Sequence, residues 1–128
     1  MLSRFIAISL LLGSTLAVAS DASLSFAKAK NIWEASKDRK EYQTYAEEFT
    51  QFNNHFHLDE KDGCYNLAQG PVELMLVITY DGKSQYAKIE QVLSNVENPK
   101  AACFKKTYGG IPTKIPPFLP FVLQMGMG

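Results

Sequence analysis

The sequence lacks a hydrophobic run long enough to cross a membrane as a helix. Its longest apolar stretch extends only from Phe5 to Ala19 and contains serine and threonine, whereas a spanning helix needs roughly 20 mostly apolar residues. Arg4 precedes the stretch, and Ala17-Val18-Ala19 closes it with the small residues of a cleavage site. We therefore expect residues 1–19 to be a cleaved signal peptide, with no stable membrane anchor, and residues 20–128 to form a single small domain.

The chain also lacks an excess of positive charge. Its 13 lysine and arginine residues are matched by 13 aspartate and glutamate residues. Nucleic acids and anionic membranes attract clustered positive charge, so we expect no nucleic-acid partner. Hydrophobic residues make up 46% of the sequence and aromatic residues 12%, which suits a packed core and not a disordered chain.

Cysteine is scarce, and its spacing excludes a C-x-x-C redox motif. Cys64 and Cys103 are the two cysteines of the sequence. In an oxidising compartment an isolated pair of this kind predicts one disulfide, with two buried free thiols as the alternative.

The sequence has no nucleophile motif G-x-S-x-G and no phosphate loop G-x-x-x-x-G-K. His55 and His57, with Asp59 nearby, form the one cluster with metal-ligand chemistry. An H-x-H pair faces one side only in an extended segment, and this pair lies where a helix is predicted to end. An exposed or structural pair is the preferred interpretation, so we expect no catalytic residues, no metal and no cofactor.

Residues 23–57 are predicted to form two amphipathic helices, or one bent helix. Apolar and aromatic residues recur at every third or fourth position, and the polar segment 36–40 interrupts them. Asp38 followed by Glu41 is typical of a helix start, whereas Asn53-Asn54 and the segment 59–63 predict an exit into a loop. The apolar stripe is expected to cover a small sheet.

A β-hairpin is predicted next. Residues from Val72 to Tyr80 alternate with the period of a strand, and Asp81-Gly82 is a turn signal. A loop with an even number of residues would place Leu76 opposite Ala87 or Ile89 and keep lysine off the buried face.

The rest of the chain predicts a short helix and a last strand. Asn98-Pro99 is typical of a helix start and Gly109 of a helix end. After a proline-rich approach, Phe121, Leu123 and Met125 alternate as in a strand. The predicted fold class is α+β: N-terminal helices, a hairpin, a short helix and a C-terminal strand, forming a three-stranded antiparallel sheet with helices on one face.

The ββαβ part, residues 64–125, resembles the TonB/TolA C-terminal-like domains of Gram-negative periplasmic proteins. The resemblance rests on the following segments: Cys64-Tyr65, Gly70, Ile78 to Gly82, Val92 to Asn95, Cys103 and Pro116-Pro117-Phe118. It implies a periplasmic domain that binds proteins through an exposed sheet edge. Energy-transducing members keep a membrane anchor and a long spacer, so the predicted signal cleavage and the absence of a spacer argue against energy transduction here.

Together these observations predict a soluble periplasmic protein-interaction module without catalytic activity, whose partner is another cell-envelope protein. Binding is expected through the hairpin edge, the C-terminal strand or both, and the candidate partner-binding edge comprises Phe118, Phe121, Leu123 and Met125. Two alternatives stay open: a small periplasmic enzyme or metal-binding protein that uses His55 and His57, and a periplasmic inhibitor or chaperone-like accessory protein.

Overall fold

The computed structural model of the protein describes residues 23–67 and 70–127, without the side chains of 52–62. The predicted signal peptide, residues 1–19, lies outside the described residues. Within them, no helix combines the length and the apolar character that a membrane span requires.

Two helices form the N-terminal part, which is the first of the two alternatives that the sequence left open. Helix α1 spans Phe26–Ser36, and the side chain of Ser25 caps its start by accepting a hydrogen bond from the Lys28 N–H at 3.1 Å. Helix α2 spans Lys40–Tyr65 and begins after Arg39, with no side-chain cap. The predicted helix start at Asp38 is therefore one residue early.

Helix α2 is longer than predicted. It continues through the segment 59–63, where the sequence predicted a loop, and ends at Tyr65. The turn-favouring residues of that segment carry only weak preferences, which tertiary contacts readily override. The contact at this end is the disulfide described below.

The sheet has four antiparallel strands, not three. These are β1 (Val72–Thr79), β2 (Ala87–Ser94), β3 (Pro112–Thr113) and β4 (Phe121–Met127), in the spatial order β3-β2-β1-β4. Strand β3 has two residues, one of them proline, and exists only through its pairing with β2. The α+β class is confirmed; the number of strands and their arrangement are corrected.

A β-bulge changes the predicted hairpin register. The loop between β1 and β2 comprises residues 80–86, an odd number, and Leu76 lies opposite Val92 and not Ala87 or Ile89. The register shifts between Val77 and Ile78. The extra residue on β2 adjusts the alternation of its side chains between the two faces of the sheet. Apolar side chains on both sides of the bulge therefore reach the same core.

Helices cover both faces of the sheet, whereas the sequence predicted one covered face. The larger core lies between the sheet and helices α2 and α3 (Pro99–Tyr108), and it includes Leu74, Leu76 and Phe104. On the opposite face, Ala29 of α1 packs against Met75, Val77 and Val122. Strand β1 is buried on both faces for this reason.

Helix α3 begins and ends as predicted. The Asn98 side chain accepts a hydrogen bond from the Ala101 N–H at 2.8 Å, Pro99 occupies the first turn, and Gly109 follows the last residue. A Cβ atom on Gly109 would lie 2.9 Å from the Lys105 carbonyl oxygen, so glycine is required there.

The predicted disulfide between Cys64 and Cys103 is present, with the two Cα atoms 5.5 Å apart. Cys64 lies in the last turn of α2. The bond therefore joins two helices, because α2 continues past the segment 59–63 where the sequence predicted a loop.

The hairpin loop is organised by Asp81. Its carboxylate accepts hydrogen bonds from the N–H groups of Lys83 and Ser84, each at 2.8 Å, and from the Ser84 hydroxyl at 2.7 Å. These bonds, led by the Ser84 hydroxyl, lower the pKa of the Asp81 carboxyl to about 2. The turn predicted at Asp81-Gly82 thus has a side-chain cause as well as a glycine with positive φ.

We expect the hairpin loop to loosen only in strong acid. The folded-state pKa of Asp81 is lowered, so its contribution is complete above the ordinary pKa near 4 and is lost as the pH falls through about 2. An NMR titration that follows the Asp81 carboxyl carbon and the Ser84 amide should show one shared midpoint near pH 2. Asp81→Asn should remove that midpoint, and a midpoint near pH 4 in the unaltered protein would contradict the loop geometry.

Candidate protein-interaction site

The four predicted edge residues lie on or just before β4, but their side chains differ in their exposure to solvent. Phe121 is fully buried and Leu123 is 2% exposed, both in the larger core, while Phe118 and Met125 are partly buried against it. The side chains of Phe121 and Leu123 are therefore closed to a partner in this fold. Their role in partner binding stays a prediction.

Strand β4 is an edge of the sheet. It pairs with β1 in an unbroken register from Val72–Met127 to Ile78–Phe121, and no further strand among residues 23–67 and 70–127 pairs with its other side. An edge strand exposes a row of backbone N–H and C=O groups that can pair with an added strand.

The direction of these backbone groups follows from one hydrogen bond. The N–H of Gln124 donates to the Tyr42 hydroxyl oxygen at 3.3 Å, so it points away from β1. Because neighbouring residues of an antiparallel strand alternate in direction, the backbone groups of Val122 and Gly126 also point outward. Those of Leu123 and Met125 point toward β1.

The sequence of β4, Phe-Val-Leu-Gln-Met-Gly-Met, contains no charged residue. Natural edge strands are commonly protected by lysine, proline or inward charges, and here proline occurs only before the strand. The residues of β4 differ in their exposure to solvent: Val122 is fully buried, Gln124 and Met125 are partly exposed, and Gly126 is exposed. The open part of the edge is near Gly126.

Polar and apolar side chains border this open end on opposite faces. On the α1 face, the carboxylate of Glu73 lies 3.3 Å from the Lys30 ammonium and 3.3 Å from the Gln124 side-chain amide. On the other face, the Tyr65 hydroxyl donates to the Met127 sulfur at 3.1 Å. A bound strand would therefore meet one polar and one apolar side.

A groove lies along α2. A cavity of about 590 Å³ is lined by Tyr45, Lys114 and Ile115, among others, and a neighbouring cavity of about 370 Å³ shares Lys114 and Ile115 with it. Lys114 forms an ion pair with Glu48, so the charges in this groove neutralise each other. The groove favours neither an acidic nor a basic ligand.

Tyr45 closes the floor of this groove. Its hydroxyl donates to the Lys114 carbonyl oxygen at 2.6 Å and lies 3.2 Å from the Thr113 hydroxyl. Burial raises the pKa of Tyr45 to about 12, so the phenol stays protonated and its role is to hold β3 against α2.

The side chains of His55 and His57 belong to residues 52–62 and lie outside the described side chains. The exposed or structural pair therefore stays a prediction, and the metal-binding alternative stays open. Among the side chains that are described, no three of histidine, cysteine, aspartate or glutamate group together as a metal site would require.

The sequence did not identify Tyr42 or Gln124 as part of the edge. Tyr42 belongs to the predicted apolar stripe, but nothing local shows that its hydroxyl reaches a strand 82 positions away. Gly126 did leave a signal, because glycine inside an alternating strand often marks a close approach of another backbone.

Comparison of the chain with protein-family models, with curated proteins and with solved structures finds no match.

Proposed function

We propose that this protein is a non-catalytic interaction module that binds an extended segment of another cell-envelope protein along β4. In this mode the partner adds a strand to the sheet, and main-chain hydrogen bonds supply the affinity. The resemblance of residues 64–125 to the TonB/TolA C-terminal-like domains supports the same mode.

The single observation that carries this proposal is the uncharged edge of β4, whose exposed end includes Gly126. The side chains of Phe121 and Leu123 face the core, so specificity comes from the two borders near Gln124 and Met127. A partner strand needs alternating side chains, polar toward Lys30 and Glu73 and apolar toward Tyr65.

We propose the periplasm as the compartment. The signal-like segment that ends at Ala19 supports export. The disulfide between Cys64 and Cys103 supports an oxidising compartment, since such bonds are rare where thiols are kept reduced.

Replacing Gly126 by proline should abolish partner binding. Proline removes an outward-pointing N–H and leaves the pairing with β1 intact, which edge strands tolerate. The matched control is Gly126→Ala, which keeps the N–H and adds a methyl group with no atom within 4 Å. The measurement is affinity capture from cell-envelope extracts with each purified protein as bait, with the bound proteins identified by mass spectrometry.

We expect the unaltered protein and Gly126→Ala to retain one common partner that Gly126→Pro loses at least about tenfold, which corresponds to about 1.4 kcal/mol. Thermal unfolding should show that the proline variant stays folded. Equal capture of that partner by a folded Gly126→Pro variant would rule out the β4 edge.

A further inference from the structure

Gly126 leaves a gap in the row of side chains that crosses the open end of the sheet. Its register partner on β1 is Glu73, and directly opposite residues present their side chains on the same face of a sheet. For this row it is the α1 face, where Glu73 contacts Lys30. A Cβ atom on Gly126 would meet no atom within 4 Å. A strand added to the edge would therefore place one residue beside Gly126, with open space over the glycine.

The carboxylate of Glu73 contacts β4 next to this gap. One of its oxygens accepts a hydrogen bond from the Gln124 side-chain amide at 3.3 Å. Gln124 and Gly126 are two positions apart on β4, so they are neighbours on one face of the sheet. Neighbouring strands lie about 4.8 Å apart. A side chain on the added strand therefore has only β4 to cross in order to reach the carboxylate.

The carboxylate of Glu73 can accept a further donor. One oxygen accepts from Gln124 and the other from the Lys30 ammonium, whereas a carboxylate offers about four acceptor sites. The side chains of Glu73 and Lys30 are 24% and 39% exposed, so a partner's side chain can approach the pair. An arginine guanidinium is planar, carries five N–H donors and binds a carboxylate through two parallel bonds. Arginine therefore matches the acceptor sites that remain.

An acidic residue on the partner fits this position less well. Glu73 belongs to the same row as Gly126, whereas Lys30 lies on helix α1 and is already bonded to Glu73. A carboxylate beside Gly126 would come close to the carboxylate of Glu73, and like charges placed together across strands are destabilising. Charge complementarity therefore favours a basic residue beside Gly126.

We infer that Glu73 selects a partner segment that carries arginine at the position beside Gly126. The arginine side chain lies across Gly126 and donates to the Glu73 carboxylate, while the partner's backbone pairs with β4. This inference rests on the proposed function of β4 and names the chemistry of the segment that binds there.

Three synthetic heptapeptides provide the test. Each alternates valine with threonine, and the central threonine is replaced by arginine, glutamine or glutamate. Binding is measured by NMR, from the shift of the Gly126 amide as each peptide is added to the unaltered protein. We expect the arginine peptide to bind about fivefold more tightly than the glutamine peptide, as for a partly exposed ion pair. The glutamate peptide should bind most weakly.

Substitutions in the protein separate the contact with Glu73 from a general effect of charge. Glu73→Gln should make the arginine and glutamine peptides bind equally. Lys30→Met removes the competing ammonium and should raise the preference for arginine. The matched control is Glu90→Gln, which changes the net charge equally and also removes a strand glutamate from an ion pair, here with Lys88 on β2. It should leave the preference unchanged, and thermal unfolding should show that all three variants are folded.

Equal binding of the three peptides to the unaltered protein, including no binding by any of them, overturns the inference. Tighter binding of the glutamate peptide, or an arginine preference that Glu73→Gln leaves intact, overturns it as well. In each of these cases the proposed function stands if Gly126→Pro still loses its partner in the capture experiment. Equal capture by a folded Gly126→Pro variant overturns the function and the inference together.

Discussion

Replacing Phe121 by alanine should destabilise the domain by about 3–5 kcal/mol, the usual cost of removing a large aromatic side chain from a core. The Phe121 ring is fully buried and lies against three others, with centroids 5.4 Å from Tyr42, 4.6 Å from Tyr45 and 5.2 Å from Phe118. A domain of this size is stable by about 5–15 kcal/mol. The loss should therefore lower the urea midpoint strongly, as measured by circular dichroism.

The control for this prediction is Leu119→Ala, because Leu119 is 55% exposed. Its effect should stay within about 1 kcal/mol, as for most surface substitutions. A loss of less than 1 kcal/mol for Phe121→Ala would mean that the ring is outside the core. The expected result also decides how to test binding: polar substitutions at Phe121 or Leu123 would unfold the domain, whereas Gly126 changes the edge alone.

Removing the disulfide should cost roughly 4 kcal/mol by the chain-entropy account of cross-links. The bond joins residues 39 positions apart, and its loss lets the unfolded chain explore many more conformations. The variant is Cys64→Ala combined with Cys103→Ala, because alanine leaves no polar atom at the fully buried position of Cys64. Urea unfolding of this variant should match that of the unaltered protein in a thiol reductant.

The reductant should have no effect on the urea midpoint of the double alanine variant. This variant is the control for any effect of the reductant other than cleavage of the disulfide. If thiol titration shows full reduction of the unaltered protein and the urea midpoint does not move, the disulfide does not stabilise the fold. The pairing of β4 with β1 should be unchanged in the reduced protein, because neither strand contains a cysteine.

Local signals predicted most of the elements correctly, and each success has a local cause. Asn98 and Pro99 start α3 through a side-chain cap and a preset backbone angle. Asp81 and Gly82 form the turn through the carboxylate and a positive φ. Such causes act within a few residues, so the sequence alone reveals them.

The errors in the fold have non-local causes. The last turns of α2, up to Cys64, belong to a helix that the disulfide joins to α3. The pairing of Pro112–Thr113 depends on β2, and the bulge between Val77 and Ile78 depends on matching two strands to one core. No short stretch of sequence carries that information.

The sequence likewise predicted one part of the candidate site, and the tertiary structure decided the rest. The alternation of Phe121, Leu123 and Met125 predicted a strand, and that strand exists. The same alternation did not show that Phe121 and Leu123 face the core, since period-two patterns identify two faces without saying which is covered.

By itself the sequence determined that this is an α+β chain with N-terminal helices, a hairpin, a short helix and a last strand. Periodicity, caps and turn residues act locally and specify these elements. Only the tertiary structure decided that β4 lies at an edge and that the Tyr42 hydroxyl oxygen accepts the Gln124 N–H there. Edges and contacts of this kind arise when distant segments pack together, and their positions follow from the whole fold and not from any one segment.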